Sequence, residues 1–283
     1  MGRVLTYVIL LEVTYVFFYP VLYMVSTSLK SASDIADITV YWVPTELYLD
    51  NFDLAFEALA YFDAIKNSLI TSVPSAAGQV LVCAFVAYGF ARISFPGRDF
   101  LFLMVLLTFI IPPQTILVPQ FFLYLKLGWL NTYLPWIVPA WLGHGVKGAL
   151  FVLIFRQYLR GLPWELEDAA FVDGAGRLRV YWQIILPMAT PAILVVLLFS
   201  LVWHWNDSFL PLMFLSDIKE MPLPARLVQV VSYFWRRTEN YGLHYSEGLL
   251  MAATVLVVLP QMILYLFVQR YFVESINRTG LVE

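Results

Sequence analysis

Charged residues and cysteine are scarce in this chain of 283 residues, of which only 13% are charged and a single one, Cys83, is a cysteine. One cysteine excludes an intramolecular disulfide and a thiolate metal cluster, so Cys83 is predicted to be a small helix-packing residue. The net charge of −3 argues against nucleic acid as a partner, because phosphate binding needs clustered Lys and Arg. In soluble domains about a quarter of the residues are charged. The low share of charged residues in this chain therefore excludes the class of soluble proteins as well.

Apolar residues are abundant instead: they make up 61% of the chain, and the mean hydropathy is +0.76. A helix that crosses a bilayer needs about 20 mostly apolar residues. Six windows meet this length, and the first is too long for a cleaved signal sequence and lacks a clean cleavage site. The sequence predicts an all-α integral membrane protein, one domain over residues 1–283, with six transmembrane helices at residues 4–25, 68–91, 100–125, 133–155, 184–205 and 248–269.

Six crossings would place both termini on one side of the membrane. The long connections 26–67 and 206–247 would share the opposite side with the short segment 126–132. The loops 92–99 and 156–183 would lie with the termini, and they carry their arginines close to helix ends. Because cytoplasmic loops favour Lys and Arg, we expect the termini and these two loops in the cytoplasm.

Prolines interrupt several of the apolar windows, among them the pair Pro112-Pro113 and, further on, Pro187, Pro191 and Pro260. A broken helix in lipid is tolerated where neighbouring helices or a water-filled cavity satisfy the freed carbonyls. The prolines therefore favour helices that line a cavity, and kinks that serve packing alone are an equal alternative.

The loop 156–183 is the most informative polar segment. Pro163 can occupy the first turn of a helix, and the carboxylates that follow it complement the positive end of the helix dipole. Glycine accepts the left-handed conformation that ends a helix, so the Asp173-Gly174 pair is predicted to stop it. A second helix with Arg177 and Arg179 is predicted to continue into the fifth span. The first helix would present a small surface to the cytoplasm.

This loop resembles the signature loop, or EAA motif, of the inner-membrane subunits of binding-protein-dependent ABC importers. The pattern is an acidic residue, two alanines, an Asp-Gly-Ala three residues on and a later Ile-x-Leu-Pro. Its usual glutamate is replaced by Asp168, which Glu167 precedes. The resemblance covers nearly the whole chain and narrows to the smaller permease type that imports sugars, oligosaccharides and glycerol 3-phosphate. The matching residues are Asp168, Ala169, Ala170, Asp173, Gly174, Ala175, Ile184, Leu186 and Pro187.

The resemblance implies the type I ABC importer permease fold and a non-catalytic role in sugar translocation by alternating access. ATP and Mg would be bound by two partner ATPase subunits, and this chain would hold no cofactor or metal. Further partners would be a second homologous permease in a heterodimer and an extracytoplasmic solute-binding protein, at the bacterial inner membrane. The loop would couple to the ATPase through the residues matched above together with Glu167 and Arg177. The family usually ends on basic residues, whereas this chain ends on Leu281-Val282-Glu283.

Three ionisable residues lie inside predicted spans, where charge is expensive and often functional: Glu12, His144 and Lys147. His144 and Lys147 are three residues apart and would share one face of a helix. They are candidates for the solute pathway; alternatively, Lys147 pairs with a carboxylate or the helix is locally broken. Glu12 is interpreted as a structural partner within the heterodimer.

Other pathway candidates are polar groups near the ends of spans. Asn206 and Asp207 follow Trp205, and rings with amides and carboxylates suit a sugar site, although aromatic residues also belong at any membrane interface. Gln114 is a further candidate, and Gln79, Gln120 and Gln261 are weaker ones. The sequence does not name the solute.

Three other classes of protein would make different demands on the sequence. An enzyme would need a nucleophile with its base or a glycine-rich phosphate loop, and neither occurs; the three histidines lack metal-ligand spacing. A secondary transporter driven by an ion gradient could use Glu12 and Lys147 but would not need the loop motif. A membrane scaffold would carry no solute at all.

Overall fold

The computed structural model describes residues 2–145, 147–237 and 243–279, and within these ranges every regular element is helical. The fold class predicted from composition is thereby confirmed. The fifteen α-helices in the described part of the chain are α1 Gly2–Ser28, α2 Ala32–Ala36, α3 Asp50–Leu59, α4 Tyr61–Arg92, α5 Arg98–Ile110, α6 Leu117–Leu127, α7 Leu134–Trp141, α8 Gly148–Arg160, α9 Glu165–Val172, α10 Arg177–Val180, α11 Leu186–Met188, α12 Thr190–Asn206, α13 Phe209–Phe214, α14 Leu223–Arg237 and α15 Leu243–Thr279.

Three helical stretches in the described parts are long and apolar enough to cross a membrane: Val4–Ser28, Tyr61–Arg92 and Glu247–Phe267. Two bent pairs would raise the number to five, α5 with Pro113–Leu127 at 94° and Arg177–Met188 with α12 at 76°. The predicted window 133–155 is divided into α7 and α8 by a non-helical segment. The six crossings therefore stay a prediction.

The 94° bend follows from the Pro112-Pro113 pair. Proline lacks the amide hydrogen of a helical bond and forces the preceding residue out of the helical conformation. Ile111 accordingly has an extended backbone with φ −68° and ψ 119°, and α5 ends at Ile110. The apolar run of the third window continues through the bend, so the window meets the length of a span although the proline pair interrupts its helix, as the sequence indicated.

The chain divides into two compact units, and the first comprises residues 1–66 and 218–265. Its polar connections are held by buried side chains that donate to backbone carbonyls. Lys30 Nζ donates to the carbonyls of Val40 and Tyr41 at 3.0 and 2.8 Å, and Asn51 Nδ2 donates to that of Lys30 at 2.9 Å. The segment after α1 is therefore a folded structure, because these bonds fix the path of its backbone.

Hydrogen bonds join parts of the polar connections within each unit. In the first unit, Arg226 Nη1 donates to the carbonyl of Leu59 at 2.8 Å, which joins the two long connections. In the second unit, the backbone amide of Asn131 donates to the carbonyl of Phe214 at 2.9 Å, and the amide of Ser216 donates to Asn131 Oδ1 at 2.8 Å. The predicted common side of the three segments stays a prediction, as does the side that faces the cytoplasm.

The second unit comprises residues 67–217 and 266–283. Residues 280–283 lie outside the described residues, and so does the chain end at which this sequence lacks the basic residues of the family. Its core forms where the small side chains of α4 meet the aromatic ones of α8 and of the segment before α12. Cys83 is buried there, as predicted, with Sγ 3.6 Å from the carbonyl of Gly148. The core includes Ala84, Ala87, Ala91, Phe151, Phe155, Leu159, Tyr181, Ile185 and Val196.

Candidate functional site

The loop helix predicted from the sequence is α9, Glu165–Val172, and it belongs to the second unit. Three carboxylates stand in its first turn, where they complement the unpaired backbone amides. The helix ends as predicted: Gly174 has a φ of +82°, its amide donates to the carbonyl of Phe171, and the amide of Ala175 donates to that of Ala170. Glycine is suited to this position because a side chain disfavours positive φ.

The two alanines of α9 face different surroundings. Ala170 and Ala175 pack against the core of the second unit, while Ala169 and Asp168 are exposed. Large apolar side chains on and beside α9 are exposed as well, with Val172 at 87%. This exposed surface, defined here as the α9 surface, consists of Trp164, Leu166, Asp168, Ala169, Phe171 and Val172.

Glu167 differs from its acidic neighbours because it points inward and is only 2% exposed. Its Oε1 lies 3.2 Å from Arg92 Nε, and its Oε2 accepts a hydrogen bond from the Tyr88 hydroxyl at 3.3 Å. Burial raises the pKa of the Glu167 carboxyl, and the Arg92 guanidinium beside it offsets part of that rise. The sequence grouped Glu167 with the residues that contact a partner, but its buried position limits it to an internal contact.

Arg92, in the last turn of α4, contacts several elements at once. Its Nε faces Glu167, and its Nη2 donates hydrogen bonds to the carbonyls of Leu159 and Leu162 at and just after the end of α8. Its guanidinium also lies over the Trp164 ring, 4.2 Å from the centroid. One buried arginine therefore fastens α9 to both α4 and α8. Sequence reasoning assigned no role in the site to Arg92, because its partners come from segments that only the fold brings together.

The segment after α9 is broken more than the sequence predicted. Arg177 is exposed at the start of α10, and a π-helical turn, Tyr181–Ile185, replaces the continuous helix. Ile184 and Leu186 pack against the core, whereas Pro187 is exposed within α11 before the 76° bend into α12. The matched Ile-x-Leu-Pro residues thus anchor and turn the chain.

The predicted helical face of His144 and Lys147 is wrong, because both residues lie in the break between α7 and α8. Three residues in this break have left-handed backbones: Gly143, Gly145 and Lys147, with φ of 74°, 111° and 63°. Lys147 and His144 are exposed, and Lys147 Nζ lies 5.0 Å from the centroid of the Phe109 ring. The alternative of a locally broken helix is the one that the structure supports.

The other pathway candidates divide into exposed and structural residues. Asn206 and Gln114 are exposed. Asp207 caps α13: its Oδ1 accepts hydrogen bonds from the amides of Phe209 and Leu210 at 3.1 and 3.2 Å. Burial raises the pKa of the Asp207 carboxyl, and those amides lower it in part. A capping role accounts for Asp207 without a solute.

Gln79, a weak candidate for lining a pathway, is fully buried and joins α4 to α12 instead. Its Oε1 accepts a hydrogen bond from Ser200 Oγ at 2.8 Å and lies 3.0 Å from His204 Nε2. Because Gln79 Oε1 can only accept, the His204 imidazole must donate from Nε2 if both contacts are hydrogen bonds. Ser200 and His204 are four residues apart on α12, and this spacing was the only signal in the sequence for the cluster.

Replacing Gln79 with leucine is expected to destabilise the chain, because Ser200 and His204 would lose their acceptor in the interior. A buried polar group without a partner costs about 1–3 kcal/mol, which lowers the melting temperature by about 2–4 °C for each kcal/mol. Thermal unfolding in detergent checks this. Gln114→Leu is the matched control, because Gln114 is exposed, and equal melting temperatures of the two variants would contradict the role of Gln79.

The helical fold, the apolar spans and the anchored loop helix define the membrane-spanning subunit of a transporter. Residues 79–278 match the family described as binding-protein-dependent transport system inner membrane component, and the chain belongs to this family. It is therefore a multi-pass inner-membrane protein and the permease component of an ABC importer. Such a component works with an ATPase and a substrate-binding protein and is not itself catalytic.

Individual relatives agree with this assignment along nearly the whole chain. The chain is 31% identical to the osmoprotective compounds uptake permease protein GgtD of a Synechocystis species, over 95% of this chain and 89% of that one. It is also 31% identical to the arabinooligosaccharides transport system permease protein AraQ of Halalkalibacterium halodurans, over 95% and 92%. A crystal structure of a bacterial ABC transporter that imports the acidic polysaccharide alginate has the same fold, with a TM-score of 0.80, 20% identity and 96% of both chains covered.

Proposed function

We propose that this chain carries a sugar or oligosaccharide across the inner membrane, and that the α9 surface docks on an ATPase subunit whose closure around ATP drives the movement. The observation that carries the proposal is the α9 surface itself. It is exposed, largely apolar and held on a short helix that Arg92 fastens to the second unit. The names of the relatives, one of them an arabinooligosaccharide permease, support a sugar as the solute.

The chemistry of the α9 surface suits a protein groove. Exposed Trp and Phe side chains are enriched where proteins bind one another. Ala169 allows a close approach, since a larger side chain would hold a groove wall away from the helix. Asp168 keeps one carboxylate at this surface, where a basic residue of the ATPase can pair with it.

A second homologous permease is the partner that α1 requires. The apolar window of α1 has none of its residues buried within this chain, and Glu12 is exposed in that window. A carboxylate facing hydrocarbon is costly, so a protein surface or a polar cavity must cover it. A heterodimer in which the partner permease covers α1 would satisfy Glu12, in keeping with its interpretation from the sequence.

The orientation follows from the same proposal. If α9 meets an ATPase, the loop 156–183 is cytoplasmic, and six crossings place both termini there too. Solute would pass residues of the second unit that expose polar groups: Asn206, Gln114, His144 and Lys147. Asp207 would shape this region indirectly, since its carboxylate holds the start of α13.

The function is tested by purifying the tagged chain with its bound subunits from the membranes of its host. The complex is reconstituted in liposomes with the solute-binding protein, and ATP hydrolysis and uptake are measured across a panel of sugars. We expect at least one sugar to stimulate hydrolysis and to be taken up only with ATP. Uptake driven by an ion gradient without ATPase subunits would contradict the proposal and would favour a secondary transporter.

A further inference from the structure

We propose that Arg92 is a positioning residue that transmits displacements of α9 to α4, so that ATP hydrolysis is coupled to movement of the membrane-spanning helices. The inference rests on the proposed docking of α9 and goes beyond it, because Arg92 lies behind the α9 surface and is buried. It assigns a role in coupling to a residue that need not touch the ATPase.

The links that join α9 to its neighbours along the chain are short and contain glycines. Only Gly161 to Trp164 separate α8 from α9, and Gly174 and Gly176 follow α9, with open space around both glycines. Glycine gives a backbone little resistance to bending. A push on α9 would be absorbed by these links unless side chains tied the helix to the rest of the unit.

Arg92 provides such a tie, with one contact on α9 and another on the link that precedes it. The Glu167 carboxylate lies 3.2 Å from Nε, and the Trp164 ring lies under the guanidinium at 4.2 Å. The side chains of Arg92 and Glu167 are 0% and 2% exposed, so water does not compete for the pair. The carbonyls of Leu159 and Leu162 both accept hydrogen bonds from Arg92 Nη2 and help to hold the guanidinium in place. The planar fork of arginine makes these contacts at once, and lysine cannot reproduce them.

The helix α4, to which Arg92 belongs, makes a second buried polar contact further along its length. Gln79 of α4 bonds to Ser200 and lies 3.0 Å from His204 Nε2, both on α12. A displacement of α4 can therefore be transmitted through the Gln79 contacts to α12, the helix that ends at Asn206. The ion pair at one end of the second unit and the Gln79 cluster on the same helix form a continuous physical connection from α9 to a candidate residue of the solute pathway.

The test compares Arg92→Met, Arg92→Lys and a matched control, Arg98→Met, in complexes purified with their ATPase subunits. Arg98 lies near Arg92 in the chain but is more exposed, and it forms an ion pair with its neighbour Asp99. Copurified ATPase, ATP hydrolysis and sugar uptake are measured on each complex. We expect both Arg92 variants to retain the ATPase and to transport about tenfold less sugar per ATP hydrolysed, a typical size for coupling between sites. Arg98→Met is expected to keep the wild-type ratio.

A residue that only stabilises the fold would change the amount of complex and leave the uptake per ATP unchanged in what assembles. An unchanged ratio in the Arg92 variants would therefore overturn the proposal. If Arg92→Met yields too little complex, Glu167→Gln removes the ion pair with little change of shape, and the same ratio decides. A wild-type chain that copurifies without any ATPase would instead contradict the docking of α9, so the two failures are distinguishable.

Discussion

Ala169→Asp is expected to abolish sugar uptake while the chain still inserts into the membrane. Ala169 is exposed on α9, so the substitution disturbs no packing within this chain. In a docked groove, however, the new carboxylate would be desolvated beside Asp168 and would repel it. Loss of a central contact at a protein interface costs about 2 kcal/mol or more, which is an affinity loss of about 30-fold. The variant should therefore lose its copurified ATPase and with it nearly all uptake.

The control for Ala169→Asp is a variant with the same new charge at another exposed site. Ile38 is 95% exposed in the first unit, and Ile38→Asp should retain the ATPase at wild-type amounts. Both variants are quantified in the membrane fraction before purification. Wild-type copurification and uptake by Ala169→Asp, at equal expression, would be incompatible with docking through the α9 surface.

Gly148→Ala is expected to destabilise the second unit strongly. A Cβ at this position would lie 2.4 Å from the carbonyl oxygen of Gly143 and 3.4 Å from Gln79 Nε2. The oxygen belongs to the backbone, so the break between α7 and α8 would have to shift as a whole. Overpacking of this kind costs about 1–3 kcal/mol, and the melting temperature should fall by about 2–4 °C for each kcal/mol.

Gly89→Ala is the matched control for Gly148→Ala, because nothing lies within 4 Å of a Cβ added at Gly89 on α4. Alanine is the better helix former by about 1 kcal/mol, so Gly89→Ala should melt at or above the wild-type temperature. Thermal unfolding of the two variants in one detergent measures the difference. A Gly148→Ala variant as stable as Gly89→Ala would show that the break is not closely packed.

The helix α9 could be predicted from the sequence because its signals are local. The carboxylates of the first turn and Gly174 each act on the nearest turn of backbone, and α9 begins and ends beside them. Pro163, expected in the first turn, lies two residues before the helix instead. The scarcity of charge predicted a helical membrane protein in the same way, since the bilayer leaves few other structures open to an apolar chain. The family resemblance rested on the same loop and is confirmed.

The inward position of Glu167 could not be predicted, because it depends on where Arg92 arrives in the fold. Glu167 and Asp168 are adjacent and equally acidic in sequence, yet one is buried and the other exposed. The partners of Gln79 were hidden for the same reason, since α4 and α12 are distant in the chain. Contacts between distant segments carry no periodicity that a single sequence displays.

The positions at which helices break within apolar segments were the other feature that was predicted incorrectly. Hydrophobicity measures how well a segment suits lipid and says little about whether its helix is continuous. The window 133–155 contains three glycines close together, and two of them take left-handed backbones at the break. In the structure the backbone turns at these glycines. Lys147 shares that conformation and so leaves the predicted helical face.

Cross-linking from Val172 tests most directly whether α9 faces an ATPase in the cytoplasm. Cys83 is buried, so Val172→Cys places a single accessible thiol at the 87% exposed position of the α9 surface. With a thiol-to-amine cross-linker in membrane vesicles, we expect an adduct between this chain and the ATPase subunit, and no such adduct from Ile38→Cys. An absence of the adduct, together with labelling of Val172→Cys by an impermeant reagent outside intact cells, would contradict the proposed mechanism.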